Sequence, residues 1–169
     1  MAQRVESFDI GTLGLSSGEG RSIDLEVPVE ELRFAGETYG AGDWVGARLD
    51  LLHTTTGHAL RLRFDVRLHG PCTRCLDDAN APVEVDAREI DQLGGYDELR
   101  SPYVDEDVVD LRSWARDALA LALPPRVLCS DECRGLCPAC GANLNQDPEH
   151  EHEPAPDPRW AKLSELRFD

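Results

Sequence analysis

The sequence predicts an α+β fold, in which one main helix packs on an antiparallel β-sheet or meander and a cysteine-rich segment follows. Residues 60–68 alternate strictly between apolar and polar side chains, as a half-buried antiparallel strand does. Residues 111–123 repeat apolar side chains at helical spacing. Four of the six cysteines fall between residues 129 and 140. These features predict a sheet-plus-helix domain over residues 1–128 and a C-terminal part organised by cysteine.

The other strands are predicted from weaker versions of the same alternation. Residues 23–29 carry apolar side chains at every second position, and residues 45–51 do so again after a glycine-containing turn region. Residues 83–87 alternate once more, beyond a turn of polar residues that follows 60–68. Two alternating stretches joined by a turn are typical of a hairpin. We therefore expect residues 60–68 and 83–87 to pair as antiparallel neighbours.

The helix has start and stop signals as well as a period. Asp110 is a residue type favoured at the N-cap, and the acids at 105–107 precede it where negative charge stabilises a helix start. Pro124 and Pro125 end the helix, because proline disfavours helical conformation in the residue before it. The Ala/Leu-rich stripe is expected to pack on the apolar face of the sheet.

A Cys-Pro-x-Cys-Gly knuckle ends the cysteine-rich segment and predicts a metal site. Pro138 restricts φ inside the turn, Gly141 permits positive φ after it, and the backbone N–H groups of the turn can donate to the Cys137 sulfur. Four thiolates in a tetrahedral array favour zinc in a closed, structural shell. The segment 129–145 is therefore predicted to be a zinc knuckle. Its predicted ligands are Cys129, Cys133, Cys137 and Cys140.

A second pair, Cys72 and Cys75, leaves the ligand set open. With a site formed by the tail alone, this pair is a free dithiol near the tip of the predicted hairpin. Zinc ribbons instead join two C-x-x-C knuckles, which would staple the tail onto the sheet. The alternative ligand set is then Cys72, Cys75, Cys137 and Cys140. A further alternative is a cytosolic dithiol oxidoreductase or metal-responsive protein that uses Cys72 and Cys75.

The residues after the knuckle are predicted to be a linker and a short helix. Residues 146–158 are rich in proline and acidic side chains, and His150 and His152 are interpreted as part of this solvated linker and not as ligands. Residues 159–169 are predicted to form a short C-terminal helix that carries Trp160, Leu163 and Leu166 on its apolar side.

Charge predicts what kind of partner the protein binds. Seventeen Lys and Arg against 33 Asp and Glu give a net charge of −16, which disfavours nucleic acid and favours a basic protein partner. One local group of arginines is a candidate for contact with RNA or a partner, unless cross-strand acids such as Glu84 and Asp86 pair with it. Its members are Arg61, Arg63, Arg67 and Arg74.

Several functional classes find no support in the sequence. No secretory h-region and no long apolar run is present, so a cytoplasmic protein without a membrane segment is expected. No ordered Ser/His/Asp set, phosphate-binding glycine loop or catalytic carboxylate pair stands out. We therefore expect no enzymatic activity and no small-molecule substrate.

Three motifs together resemble one family. They are Cys72-Thr-Arg-Cys75-Leu76, then Cys133-Arg-Gly-Leu-Cys137-Pro-Ala-Cys140-Gly-Ala-Asn143-Leu-Asn145, then Asp157-Pro-Arg159. From about Leu60 onward the chain is similar to the YceD family of large ribosomal RNA subunit accumulation proteins. The resemblance implies a bacterial cytoplasmic factor for accumulation or processing of large-subunit ribosomal RNA. The expected partner is a precursor of the large subunit or a basic ribosomal protein, with direct RNA contact secondary.

Overall fold

A five-stranded sheet organises the computed structural model, which describes residues 2–34, 36–92 and 99–152. Across the sheet, the strands are β1 (Gln3–Arg4), β3 (Gly20–Pro28), β6 (Trp44–His53), β7 (Gly57–Pro71) and β8 (Asp78–Gln92). All neighbours are antiparallel except β1 and β3, which are parallel. With one main helix beside this sheet, the expected α+β class is confirmed.

Short strands build two smaller sheets around the main one. In the first, β10 (Val108–Asp110) lies between β2 (Ser7–Asp9) and β9 (Val104–Asp105). In the second, β4 (Leu32–Phe34) pairs with β5 (Glu37–Tyr39). These strands cannot be predicted from hydrophobic periodicity, because a stretch of two or three residues is too short to show a period. A single 3₁₀ turn, Gly11–Leu13, completes the N-terminal region.

The hairpin of β7 and β8 is the longest element and agrees with the predicted pairing. The two strands are in register from Gly57 opposite Gln92 to Pro71 opposite Asp78. On β7 the apolar side chains at alternate positions are buried, whereas the intervening polar side chains lie on the other face. The buried set is Leu60, Leu62, Phe64, Val66 and Leu68. The strand is longer than the alternating stretch because residues 57–59 before it and residues 69–71 after it also pair with β8, although they do not continue the alternation.

Helix α1 (Leu111–Ala122) covers the apolar face of the sheet and packs against β8 and β3. Leu111, Trp114 and Leu119 of this helix are buried in the core. The predicted N-cap is confirmed, since Asp110 Oδ1 accepts a hydrogen bond from the Ser113 backbone N–H at 3.0 Å. Within the ranges given above, no helix is both long and apolar enough to cross a membrane.

The C-terminal predictions fall partly beyond the described residues. The short helix expected at 159–169 lies outside them, as does residue 153 onward of the expected linker. The part of that linker that is described, residues 146–152, folds back on the cysteine-rich segment, with Arg134 Nη1 donating to the Pro148 carbonyl at 2.7 Å.

We expect Asp110→Ala to lower the free energy of unfolding by about 1 kcal/mol, because Ala leaves the first turn of α1 without its side-chain acceptor. The change is measured as a shift of the urea midpoint at constant slope. Glu84→Ala, at an exposed acid with no ion pair among the described residues, is the matched control and should leave the midpoint unchanged. Equal midpoints for both variants would contradict the capping role.

Candidate metal centre

The tip of the β7–β8 hairpin receives the chain segment that follows the helix. Between the two strands, a loop over residues 72–77 carries the first cysteine pair. The N–H and the hydroxyl of Thr73 both donate to the Val127 carbonyl, at 2.8 and 3.2 Å. Val127 is buried, so this contact fixes the path of the chain directly before Cys129. Cys129 and Cys133 therefore lie next to Cys72 and Cys75.

Four thiols meet at this tip, and we call them the four-thiol cluster. They belong to Cys72, Cys75, Cys129 and Cys133, whose sulfurs all lie within 4.8 Å of one another. Cys72 Sγ is 3.7 Å from Cys133 Sγ, and Cys75 Sγ is 3.5 Å from Cys129 Sγ. A disulfide would need about 2.05 Å, whereas sulfurs 2.3 Å from a tetrahedral metal are about 3.8 Å apart. The spacing fits a metal shell.

Local hydrogen bonds prepare some of these thiols to bind a cation. Burial raises the pKa of Cys72, but donation from the backbone N–H groups of Arg74 and Cys75 outweighs it and lowers that pKa to about 6. The Asn145 side-chain amide, 3.5 Å from Cys133 Sγ, lowers the pKa of Cys133. Burial raises the pKa of Cys75, so this thiol keeps its proton unless a metal displaces it.

A second cluster lies at the knuckle, and we call it the Cys/His cluster. Its donor atoms, from Cys137, Cys140, His150 and His152, also lie within 4.8 Å of one another. Cys140 Sγ is 3.3 Å from His150 Nε2 and 3.1 Å from His152 Nε2. As expected for the turn, backbone N–H groups of Ala139 and Cys140 lower the pKa of Cys137 to about 6. Each cluster could hold one metal ion.

The structure brings neither predicted ligand set together. It divides the four tail cysteines between the clusters, because the Thr73–Val127 contact places Cys129 and Cys133 at the hairpin tip. His150 and His152, expected to be solvated linker residues, instead lie beside Cys140. The sequence does contain a pattern that indicates this ligand group, because Cys137-x2-Cys140 is followed after nine residues by His150-x-His152. The surrounding acids and prolines obscured it.

The asparagines after the knuckle tie the two clusters to the hairpin, a role that sequence reasoning missed. Asn143 Nδ2 donates to Asp77 at 2.7 Å, which joins the tail to the loop that carries Cys75. Asn145 Oδ1 accepts from the Arg134 backbone N–H at 2.7 Å, while its amide reaches Cys133 Sγ. The Gly-Ala-Asn-Leu-Asn segment, which follows the knuckle directly, therefore connects the Cys/His cluster to the hairpin loop and to the four-thiol cluster.

The four candidate arginines do not form one basic surface. Arg61 makes a paired contact with Asp86, and Arg63 contacts Asp50 at 2.5 Å, on the polar face of the sheet. The expected cross-strand neutralisation by Asp86 is thus present for Arg61. Arg67 and Arg74 are exposed and have no ion pair within the described part of the chain. Only these two retain free positive charge.

The chain is similar to several mycobacterial proteins whose names state no function. An uncharacterized protein of Mycobacterium tuberculosis and another of Mycobacterium bovis are each 38% identical over 105 residues, which cover 57% of this chain and 49% of the relative. An uncharacterized protein of Mycobacterium leprae is 33% identical over 104 residues, covering 56% and 46%. The chain thus matches about half the length of these curated relatives. No solved structure matches it significantly.

A family model described as "Large ribosomal RNA subunit accumulation protein YceD" matches residues 60–167. The matched range begins in β7 and includes β8, helix α1 and both clusters. It covers well over half of the chain, and it agrees with the motifs that carry the resemblance in the sequence. The chain belongs to the YceD family.

Proposed function

We propose that this protein is a non-enzymatic, cytoplasmic factor in assembly of the bacterial large ribosomal subunit, which supports accumulation or processing of its ribosomal RNA. Membership in the YceD family carries this proposal, because the family's description names large-subunit ribosomal RNA accumulation. The proposed partner is the nascent large subunit or a basic ribosomal protein, and direct RNA contact is secondary.

The distribution of charge supports contact with protein more than contact with RNA. Affinity for nucleic acid depends mainly on cations that displace counterions from phosphates. This chain carries a net charge of −16, and two of its four candidate arginines are already engaged by Asp86 and Asp50. An acidic surface attracts a basic protein instead.

A hollow on the acidic surface fits a basic side chain of such a partner. It has a volume of about 450 Å³ and lies between the ends of β3 and β6, where Glu30, Glu31 and Asp43 line it. Glu30 already contacts Arg112 at 2.9 Å. Glu31 and Asp43 are exposed, and neither has an ion pair among the residues described. We propose these two carboxylates as the docking point for a lysine or arginine.

We further infer that the four-thiol cluster binds a structural zinc ion. Four thiolates in a tetrahedral arrangement are the donor set of closed zinc sites, and all four coordination positions would be filled by protein. Three of the sulfurs are buried, which limits access of substrate or solvent. The ion would join the hairpin tip to residues 129–133, so its role is to hold the tail on the sheet.

The alternative use of Cys72 and Cys75 as a redox dithiol has less support. Reactive dithiols present a thiolate to a partner at an accessible surface. Cys72 is fully buried and Cys75 nearly so, and their sulfurs face Cys133 and Cys129. A thiol enclosed by other thiols is better placed to bind a metal than to exchange disulfides.

We expect Cys72→Ser/Cys75→Ser to lose the zinc of the four-thiol cluster and to lower the free energy of unfolding by more than about 4 kcal/mol, since removal of a structural metal is among the most destabilising changes. Zinc per chain and the urea midpoint measure both effects. Ser130→Ala, at an exposed residue of the same segment, is the control. Unchanged zinc in the double variant would instead support a site made by the tail cysteines alone.

We expect Glu31→Lys/Asp43→Lys to reduce recovery of large-subunit proteins with the tagged chain by about tenfold, equal to about 1.4 kcal/mol of binding. The pull-down uses growing bacteria that lack their own copy, and mass spectrometry quantifies the recovered proteins. The control, Asp65→Lys/Glu84→Lys, changes the net charge equally at two exposed acids opposite each other on β7 and β8.

The control should bind normally and restore mature large-subunit RNA. An equal loss in both variants would show that net charge matters and the hollow does not. Recovery that nuclease abolishes and that falls steeply with salt would contradict protein-mediated contact, and Arg67 and Arg74 would then be the first RNA contacts to test.

A further inference from the structure

We propose that the Cys/His cluster is a second metal site, independent of the four-thiol cluster, and that it binds a zinc-class divalent transition-metal ion. This inference does not depend on the role in ribosome assembly. The predicted single knuckle site becomes two sites of different chemistry, one with four sulfurs and one with two sulfurs and two imidazole nitrogens.

The donor atoms converge as a metal shell requires. His150 Nε2 and His152 Nε2 are 2.9 Å apart, and both lie within 3.3 Å of Cys140 Sγ. A tetrahedral ion with Zn–S about 2.3 Å and Zn–N about 2.0–2.1 Å separates sulfur from nitrogen by about 3.6 Å and the two nitrogens by about 3.4 Å. The donors are therefore close to this shell and need to spread by only a few tenths of an ångström.

Backbone contacts hold the two cysteines in place without the histidines. The Gly141 N–H donates to the Cys137 carbonyl at 2.8 Å, and the Cys137 N–H donates to the Ala142 carbonyl at 2.8 Å. Gly141 has φ of 77°, the left-handed conformation that the turn requires and that glycine adopts without strain. Both sulfurs are thus presented by one tight turn.

An outer carboxylate orients His150 toward the sulfurs. Its Nδ1 lies 3.5 Å from Asp147 Oδ2, which leaves Nε2 facing Cys140. Histidines that bind metals commonly direct the second ring nitrogen to a carboxylate, which fixes the ring and makes the first nitrogen a better ligand. A turn supports this geometry, because the His150 N–H donates to the Asp147 carbonyl. Asp147 is not one of the four converging donors, so its contact with His150 supports metal binding independently of their convergence.

The chemistry of the donors selects the class of ion. Two thiols and two imidazoles are the ligands of tetrahedral zinc, whereas calcium and magnesium require oxygen. The neighbouring acids Glu149 and Glu151 are not among the four converging donors. Cys140 and His152 are exposed, in contrast to the mostly buried four-thiol cluster. The second ion should therefore exchange faster with a chelator than the first.

The test is metal content and X-ray absorption fine structure of the full chain purified with zinc. Two sites predict two zinc ions with an average shell of about three sulfurs and one nitrogen, the mean of four sulfurs and of two sulfurs with two nitrogens. His150→Ala/His152→Ala should keep one zinc in a shell of four sulfurs. That remaining all-sulfur signal also shows that the variant is folded at the hairpin tip.

His69→Ala is the matched control, because its side chain is exposed on β7 and lies outside both clusters. It should keep two zinc ions and the mixed shell. One zinc per chain in the natural sequence would overturn the proposal. So would an unchanged zinc content in His150→Ala/His152→Ala, and loss of both ions in that variant would overturn the independence of the sites. None of these outcomes depends on whether the protein binds ribosomal precursors.

Discussion

The convergence of four thiols at the tip of one hairpin is the constraint on which the tail of this molecule depends. Adjacent thiolates repel one another, and burial penalises each charge, so without a cation these four sulfurs cannot all lose their protons together. The opposite pKa shifts of Cys72 and Cys75 express this conflict directly. The proposed metal ion would resolve it, because one divalent charge lets neighbouring sulfurs lose their protons together.

The sheet makes this arrangement possible by holding the first cysteine pair at the end of two long, registered strands. The helix covers the apolar face, and the chain after it returns to the tip through the Thr73–Val127 contact. Stability of the core and position of the thiols therefore have different origins. The core is stabilised by burial of apolar side chains. The tail is instead connected to the hairpin by a few hydrogen bonds and by the contacts among the four thiols.

The polar face of the sheet has a different character. On this face Arg61 and Arg63 pair with acids of neighbouring strands, whereas Arg67 has no ion pair among the described residues. Among the described residues, unpaired acids lie both on this face, as Asp65 and Glu84 do, and at the hollow beside β6, as Glu31 and Asp43 do. A family linked by its description to ribosomal RNA is thus represented here by an acidic chain. The proposed contacts with protein would reconcile these two facts.

The α+β class, the β7–β8 hairpin, the N-cap at Asp110 and the turn that lowers the pKa of Cys137 could all be predicted from the sequence. These features are local, since alternation, capping and turn geometry act over a few residues. Which cysteines meet depends instead on contacts between distant parts of the chain. Cys72 and Cys133 are 61 residues apart, and Cys75 and Cys129 are 54 apart, so spacing along the chain carries no record of their contact. Every cysteine offers the same thiolate ligand. The docking of two distant segments therefore decides which four cysteines lie together.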